Sequence, residues 1–309
     1  MSTFTQSPLE YATHYQRALD KAYPYVLHFW QLRNAPANST YRWDHGNQIR
    51  IPTISTSGRV DSNRDVIMDT KRNQNVTWET YPLKFERVWK TMVDPIDIDE
   101  TNLAVTLVNI TQTFNETMKF PEMDRFLISE LFRKWTGFGG TTTGGEVTTA
   151  NVLDIFEQMM VTMTEERVPE IGRVLYVTPV VSKILRQADA VDRTIDLRNR
   201  RTTITTTVDS INGVKLEVVP SDLMKTEYDF REGSVAKPTA KQINMVLGHN
   251  SCVATPVKYN SVKLDPPSAV TDDKWVYFER AYEDAFVLKH KVPGLQFNVS
   301  EKAKTTPKP

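Results

Sequence analysis

The longest stretch of unbroken periodic pattern in the chain runs from Val76 to Trp135. It opens with an extended segment, VTWETYPLKFERVWKTMV, passes through the acidic run DPIDIDETN, and ends in two apolar stripes. Leu103, Leu107, Ile110, Phe114 and Met118 form the first stripe; after Phe120-Pro121, Met123, Phe126, Leu127, Leu131 and Phe132 form the second. Steps of three and four residues place such side chains on one face of a helix. Pro121 has no N–H to give, so it either kinks the pair or begins the second helix. Together the two span about 45 Å at about 1.5 Å per residue. A compact chain of this length has a radius of gyration of only about 19 Å, so the pattern predicts a rod lying across the body.

Upstream, the period changes to two. Gln48 to Ser55 (QIRIPTIS) alternates Ile49, Ile51 and Thr53 on one side, as a strand does, and Val76 to Leu83 reads as its returning partner. Pro52 inside the first strand points to a sheet edge or a free ribbon. Between the two strands lie about 20 polar, Arg-rich residues with no element of their own, a length that implies a functional or mobile loop. An isolated two-stranded ribbon is marginal in water. This one carries Trp78, Tyr81 and the Val66-Ile67-Met68 patch and therefore needs a partner surface, either its own body or a neighbouring copy. Further upstream, Leu9, Ala12, Tyr15, Leu19 and Ala22 predict a short amphipathic helix that starts at Pro8 and is interrupted at Pro24. The following YVLHFWQL is apolar enough to require burial, with His28 a packed side chain.

Downstream, Val88 to Val93 continues as strand into Asp94, Asp97, Asp99 and Glu100. Four carboxylates so close together suggest metal or acid/base chemistry, but the run lacks the glycine and distal glutamate of a calcium loop. Acidic residues ahead of a helix are favoured by its dipole, so capping and salt bridging account for them. TGFGGTTTGGE (136–146) carries no phosphate-loop signature and reads as a hinge between units.

The remainder reads as a compact α/β or α+β unit. Thr148 or Thr149 caps a helix with the core stripe Val152, Phe156, Met159, Met160 and Met163, and Arg173–Val177 is a buried strand. Thr178-Pro179 starts a helix through Val181, Ile184 and Leu185, and Asn212-Gly213 marks a hairpin between TTITTTVDS and VKLEVV. Strands are expected at Lys241–Leu247 and Cys252–Val257. After the linker DPPSAVTDD, KWVYFERAYEDAFVLKHK predicts two strands turning near Glu283-Asp284 and packing on the rod. The basic run DLRNRR (196–201) has no interleaved aromatics for stacking on nucleic acid and reads as an exposed turn or a subunit contact. The tail SEKAKTTPKP is expected to be disordered.

Composition narrows the function classes. Among 309 residues, 38 Lys and Arg balance 38 Asp and Glu, so no global field recruits nucleic acid or an anionic membrane. The single cysteine, Cys252, excludes an intrachain disulfide and a cysteine-rich metal site; it reads as a small apolar filler. No apolar run is long enough to span a bilayer, and the N-terminus lacks a signal-peptide layout. A cytoplasmic protein, or one released by means other than secretion, is expected. The five histidines show no metal-ligand spacing, and no Ser, Cys or HExxH constellation marks catalysis. The residues alone leave a self-associating structural protein or an enzyme with an unmarked site.

One resemblance orders these features. IPTISTSGRVD (51–61), TWETYPLKFER (77–87), VDPIDIDETN (93–102), FPEMDRF (120–126), INGVKLEVVPSDLM (211–224) and FERAYEDAFVLKHK (278–291) occur in the order in which similar segments occur in another family. The set resembles the major capsid proteins of tailed bacteriophages with the Hong-Kong-97-type fold, in particular the group of long-tailed phages of Gram-positive hosts. Ahead of Arg87 this chain reads Pro82-Leu83-Lys84-Phe85-Glu86, where the family often has Thr-Leu-x-x-Asp; the charge pattern is kept.

The resemblance implies an α+β capsid subunit. It would have an N-terminal arm (1–44), an extended E-loop (45–88), a peripheral domain (89–139 and 257–299, with a spine helix over 101–135), an axial domain (140–256) and a tail (300–309). It implies self-assembly into hexamers and pentamers of an icosahedral shell around double-stranded DNA, without sequence recognition, cofactor, metal or membrane. A separate scaffolding protein and a portal would be partners, with the virion as location and the host cytoplasm as place of assembly. Ile51, Arg59, Arg64, Ile67, Met68, Trp78, Tyr81 and Arg87 would make contacts between subunits through the E-loop and its base. Asp94, Asp97, Asp99 and Glu100 would form a hinge, and Arg198, Arg200 and Arg201 a contact of the axial domain. The alternatives are the shell of an encapsulin-like cellular nanocompartment and a cytosolic enzyme.

Overall fold

The structure is a computed structural model that describes residues 25–39, 41–44, 47–59, 74–100, 107–188 and 210–300, without the side chains of 98–100 and 144. The expected helix ahead of Pro24, the ribbon tip with Arg64, Ile67 and Met68, the basic run with Arg198, Arg200 and Arg201, and the tail 301–309 lie outside the described residues.

The predicted rod is present from Leu107 onward, and Leu103 lies outside the described residues. Leu107–Phe114, Asn115–Lys119 and Phe120–Gly137 form one helical run, and the middle five residues wind as a π-helix. The Phe120 N–H bonds to Asn115 O, five residues back. One residue later Pro121 has no N–H, and in a regular α-helix its ring would crowd the carbonyl of Thr117. The widened turn relieves that conflict and makes Pro121 the first-turn proline of the last segment.

Phe126, Leu127, Ile128, Leu131 and Trp135 on this helix are buried against a six-stranded sheet. Its strand order is Thr143–Gly144, Leu295–Val299, Ile243–His249, Arg173–Val177, Val214–Val218 and Ser210–Ile211. Val174, Tyr176, Val246, Phe297 and Val299 share a core with the rod. Leu175, Val177, Met245 and Leu247 turn to the other face, onto the Val152–Glu165 and Pro179–Gln187 helices. Helices on both faces explain why every residue of Arg173–Val177, Ile243–His249 and Leu295–Val299 is buried. The expected hairpin closes through Asn212 and Gly213, both at positive φ (49° and 77°), as a type I′ turn requires.

Three expectations change. The glycine-rich 136–146 segment is tied down rather than a free hinge. Thr143–Gly144 pairs in parallel with Asn298 and Val299, and Gly140 lies so close to Trp135 that a Cβ would come within 2.3 Å of the ring. Its glycine serves close approach as well as turning, which a composition signal does not distinguish. Leu295–Val299, assigned by resemblance to the peripheral unit, pairs with Ile243–His249 inside the large sheet. The expected Cys252–Val257 strand is a short 3₁₀ turn followed by Val253–Ala254, and a nine-residue strand, Val257–Asp265, follows it. That strand pairs with Trp275–Glu283, which pairs with Phe85–Val93, giving a second, three-stranded sheet.

Candidate functional site

The ribbon is a three-stranded sheet of Arg42–Asp44, Gln48–Thr56 and Gln74–Pro82. The long strands pair from Gln48↔Pro82 to Thr56↔Gln74, about 30 Å at about 3.4 Å per residue. Cross-strand partners share a face, so the register sorts the side chains into two sets. Ile49, Ile51 and Tyr81 face the body and pack with Ala37, Leu83, Ala254 and Phe286. The opposite face carries the pairs Pro52↔Trp78 and Ile54↔Val76. Ile54 is 67% exposed, and Val76 and Trp78 are 45% exposed each. The Arg42 guanidinium lies 5.6 Å from the Trp78 ring centre on the same face.

This sorting divides the expected contact set. Ile51 and Tyr81 turn inward and are 9% exposed each, whereas Trp78 and Arg59 lie exposed on the ribbon. Arg87 sits in the second sheet and is engaged inside the chain. Pro52, Ile54 and Val76 are the bare positions that alternation of the opposite phase would have named. Pro52 falls beyond the reach of Arg42–Asp44, where its strand has no second partner among the described residues.

The base of the ribbon is locked by a buried polar node. The Lys84 N–H donates to Asp284 Oδ2 (2.9 Å), and the Ala285 N–H donates to Asp284 Oδ1 (2.7 Å). Lys134 of the rod donates to Asp284 Oδ1 (2.8 Å) and to the Ala285 carbonyl (2.6 Å), with its ammonium 3.6 Å from the Phe286 ring centre. Glu130 closes the network at 2.9 Å from Lys134. Burial alone would raise the Glu130 carboxyl, but hydrogen bonds from Arg133 and Lys134 hold it below its ordinary value. Tyr282 donates to Leu83 O (2.9 Å), so rod, sheet and ribbon meet at one point.

Two further contacts fix the second sheet to the rod. Arg87 donates twice to Glu122, at 2.5 and 3.0 Å, and once to Phe230 O at 2.5 Å, a forked geometry with two parallel bonds. Phe85 stacks on Phe126 at 3.7 Å, Trp89 stacks on Phe114 at 3.7 Å, and Lys119 pairs with Glu279. A cleft of about 710 Å³ opens beside these contacts, walled by Trp89, Phe114, Met118, Glu279 and Asn260. Its Arg33, Arg87 and Lys119 are each paired with a carboxylate.

The N-terminal approach is pinned to the rod by Asp124, a feature that a lone aspartate on a helical stripe does not signal in sequence. Asp124 is 0% exposed and accepts from Tyr25 Oη (2.7 Å) and the His28 N–H (3.0 Å). Arg33 donates to Met123 O (2.7 Å) beside it. Burial raises the Asp124 carboxyl above its usual range, against the hydrogen bonds that lower it. A carboxyl raised by folding contributes stability that is full below its unfolded value and is lost as pH rises through the folded value. Asp124→Asn keeps an acceptor and removes this term. Urea midpoints of wild type minus Asp124→Asn should therefore rise as pH falls from 7 towards 4; a difference independent of pH would contradict the assignment.

The acidic run behaves as a junction at its first member. Asp94 Oδ1 accepts the Ile96 N–H (3.0 Å) and caps Pro95–Glu100, and Asp97 lies in that helix's first turn. Asp99 and Glu100 continue the helix, with side chains outside the described set. Among the described residues, no group of three or more His, Cys, Asp or Glu is placed to hold a metal ion. Cys252 is buried, which pushes its thiol up to about 12, and it donates to His249 O (2.7 Å).

No family model and no curated protein matches the chain. Solved structures do match. The asymmetric unit of the bacteriophage PhiM1 mature capsid aligns with a TM-score of 0.65 and 13% identity, over 98% of this chain and 92% of that one. The capsid structure of the cyanophage P-SCSP1u aligns with a TM-score of 0.61 and 14% identity, over 98% and 93%. A structure from Mycobacterium phage Che8 aligns with a TM-score of 0.60 and 16% identity, over 91% and 92%. Across nearly its whole length the chain has the fold of phage capsid structures, the Hong-Kong-97-type fold.

Proposed function

We propose that the chain is the major capsid protein of a tailed bacteriophage, assembling as hexamers and pentamers into an icosahedral head around double-stranded DNA. The observation that carries the reading is the ribbon. One face is packed at its base on its own body, the other presents Pro52, Ile54, Val76 and Trp78 to solvent, and hydrogen bonds to Asp284 hold the base. An apolar stripe on a projecting arm marks an interaction surface, and a chain with a capsid fold has a second copy as the natural occupant. The subunit would comprise the N-terminal arm, the E-loop ribbon, a peripheral domain around the rod and an axial domain around the large sheet. Arg59, Trp78 and the tip residues Arg64, Ile67 and Met68 would contact the neighbour, and Arg198, Arg200 and Arg201 would contact other axial domains.

The role is structural rather than enzymatic. With no global field from the balanced charge, any contact with the enclosed DNA would come from local patches. A separate scaffolding protein and a portal complete the assembly, which takes place in the host cytoplasm and ends in the virion. The resemblance carried by segments such as IPTISTSGRVD (51–61) and FERAYEDAFVLKHK (278–291) supports a long-tailed phage of a Gram-positive host. Expression with the neighbouring head genes, followed by size exclusion and negative-stain microscopy, tests the proposal. Shells, sheets or capsomer rings are expected, with DNA and portal in complete heads. A strictly monomeric species under all conditions would overturn it, and shells enclosing an enzyme cargo would assign a nanocompartment instead.

A further inference from the structure

The register of the second sheet leaves a gap beside the rod. Phe85–Val93, Trp275–Glu283 and Val257–Asp265 pair in that order, Arg87 with Ala281 and Ala281 with Asn260. Cross-strand partners share a face, so the side turned to the rod carries Phe85, Arg87 and Trp89 on the first strand and Glu283, Ala281 and Glu279 on the next. The rod sits over the first strand: Phe126 stacks on Phe85, Glu122 pairs with Arg87, and Phe114 stacks on Trp89. Towards the next strand the long side chains of Arg33 and Lys119 reach across to Glu283 and Glu279. Between those two carboxylates stands Ala281, whose methyl group leaves the space in front of it unfilled. The cleft of about 710 Å³ opens there, lined by Ala281 and Asn260 from the sheet and Met118 from the rod.

Its size and lining are those of a ligand site. Small-molecule sites typically enclose about 300–1,000 Å³ and combine apolar walls with a few polar groups that fix orientation. Here Trp89, Phe114 and Met118 supply the apolar wall, with Met118 58% exposed. The exposed Asn260 amide brings both a donor and an acceptor to the floor. The charges inside are matched in pairs: Arg87 with Glu122, Lys119 with Glu279, and Arg33 with Glu283 at 3.6 Å. Arg231, exposed beside Glu232, is paired with Asp229. A charged molecule entering the cleft would have to compete with an existing partner for each of these paired groups, whereas an uncharged one disturbs no pair.

We propose that this cleft binds an uncharged, flat aromatic molecule with one hydrogen-bonding end, its ring against Ala281 and Met118 beside the Trp89–Phe114 stack and its polar end at the Asn260 amide. Offset or edge-to-face contacts with Trp89 and Phe114 favour an aromatic ring over an aliphatic group of the same area. Such a ligand touches rod and sheet together and fastens one to the other. The site is complete within one copy, so it stands or falls apart from the shell reading.

Titration of the full, unassembled chain with indoleacetamide tests this, with indoleacetate and tryptammonium as anionic and cationic counterparts of similar shape. Indoleacetamide should bind saturably, one per chain, and each charged counterpart at least about tenfold more weakly. In methyl spectra of the ten methionines, Met118 and Met123, both on the wall, should shift most. Asn260→Ala should weaken binding about threefold or more, and Ala281→Leu, which fills the floor, should abolish it. Ile54→Asp combined with Trp78→Asp, on the distant ribbon, should bind as the wild type does. Equal binding of the three compounds overturns the proposal, as do shifts centred on other methionines or the absence of saturable binding. Undiminished binding by Asn260→Ala also overturns it, and that exposed position decides the matter if Ala281→Leu does not fold. Loss of binding in the ribbon variant assigns the compound to the ribbon face instead.

Discussion

Replacing Ile54 and Trp78 together by aspartate gives a subunit that folds like the wild type and closes no shells. Both side chains lie on the ribbon face turned away from the packed one, where the Arg42 guanidinium lies over Trp78, so the isolated subunit should keep its stability within about 1 kcal/mol. In an assembly the same positions are desolvated. Each large apolar side chain contributes on the order of 1.5–3 kcal/mol when buried, and an unpaired carboxylate in its place adds a desolvation cost. The loss is repeated at every copy, so the shell loses a contact all round rather than at one point. Urea midpoints and negative-stain images of the double variant check both halves. Ile51→Asp is the contrasting control: that side chain is in the packed face, and its replacement should lower stability before assembly is reached. Deletion of residues 56–75 should behave like the double variant, folded and soluble without closed shells. Normal shells from either variant would show that the bare face is not a contact.

Asp284→Ala should cost about 3–5 kcal/mol of subunit stability. Asp284 is 4% exposed and accepts from two backbone N–H groups and from Lys134. Truncation leaves those donors without their acceptor in a buried site, and loss of one partner of a buried pair carries a cost of that size. Because the node joins ribbon, sheet and rod, the variant should also let the ribbon base move, seen as faster amide exchange at 82–85 before global unfolding. Asp284→Asn keeps one accepting oxygen and should fall between the two. A loss of under about 1 kcal/mol for Asp284→Ala, within the range of an ordinary surface change, would mean that the node is not a keystone of the base.

The sequence made some parts legible because their physics is local. Apolar stripes at helical spacing gave the rod, and Asn212-Gly213 gave the hairpin, since only a turn with positive φ needs that pair. The alternation of Gln48 to Ser55 gave a strand but not its buried face: Ile49 and Ile51 look no more inward than Pro52 and Ile54 until the body that covers them is in place. That is why Ile51 and Tyr81 were expected at the boundary and turn inward. Val257–Asp265 escaped notice because its apolar residues shift phase at a register irregularity near Tyr259 and belong to no core of this copy. Asp124 and Asp284 were silent because their partners, Tyr25 and Lys84 among them, are remote in the chain, and no spacing rule encodes a buried acceptor. The acidic run was legible as a cap at Asp94 because capping acts over two residues.

A reconstruction of the assembled particle, at a resolution that separates strands, tests the central claim most directly. The account predicts that each ribbon leaves its own subunit at Leu83-Lys84 and lies on the next, with Pro52, Ile54, Val76 and Trp78 covered by that neighbour. A particle in which the ribbon folds back on its own body, or projects with that face still in solvent, would contradict it.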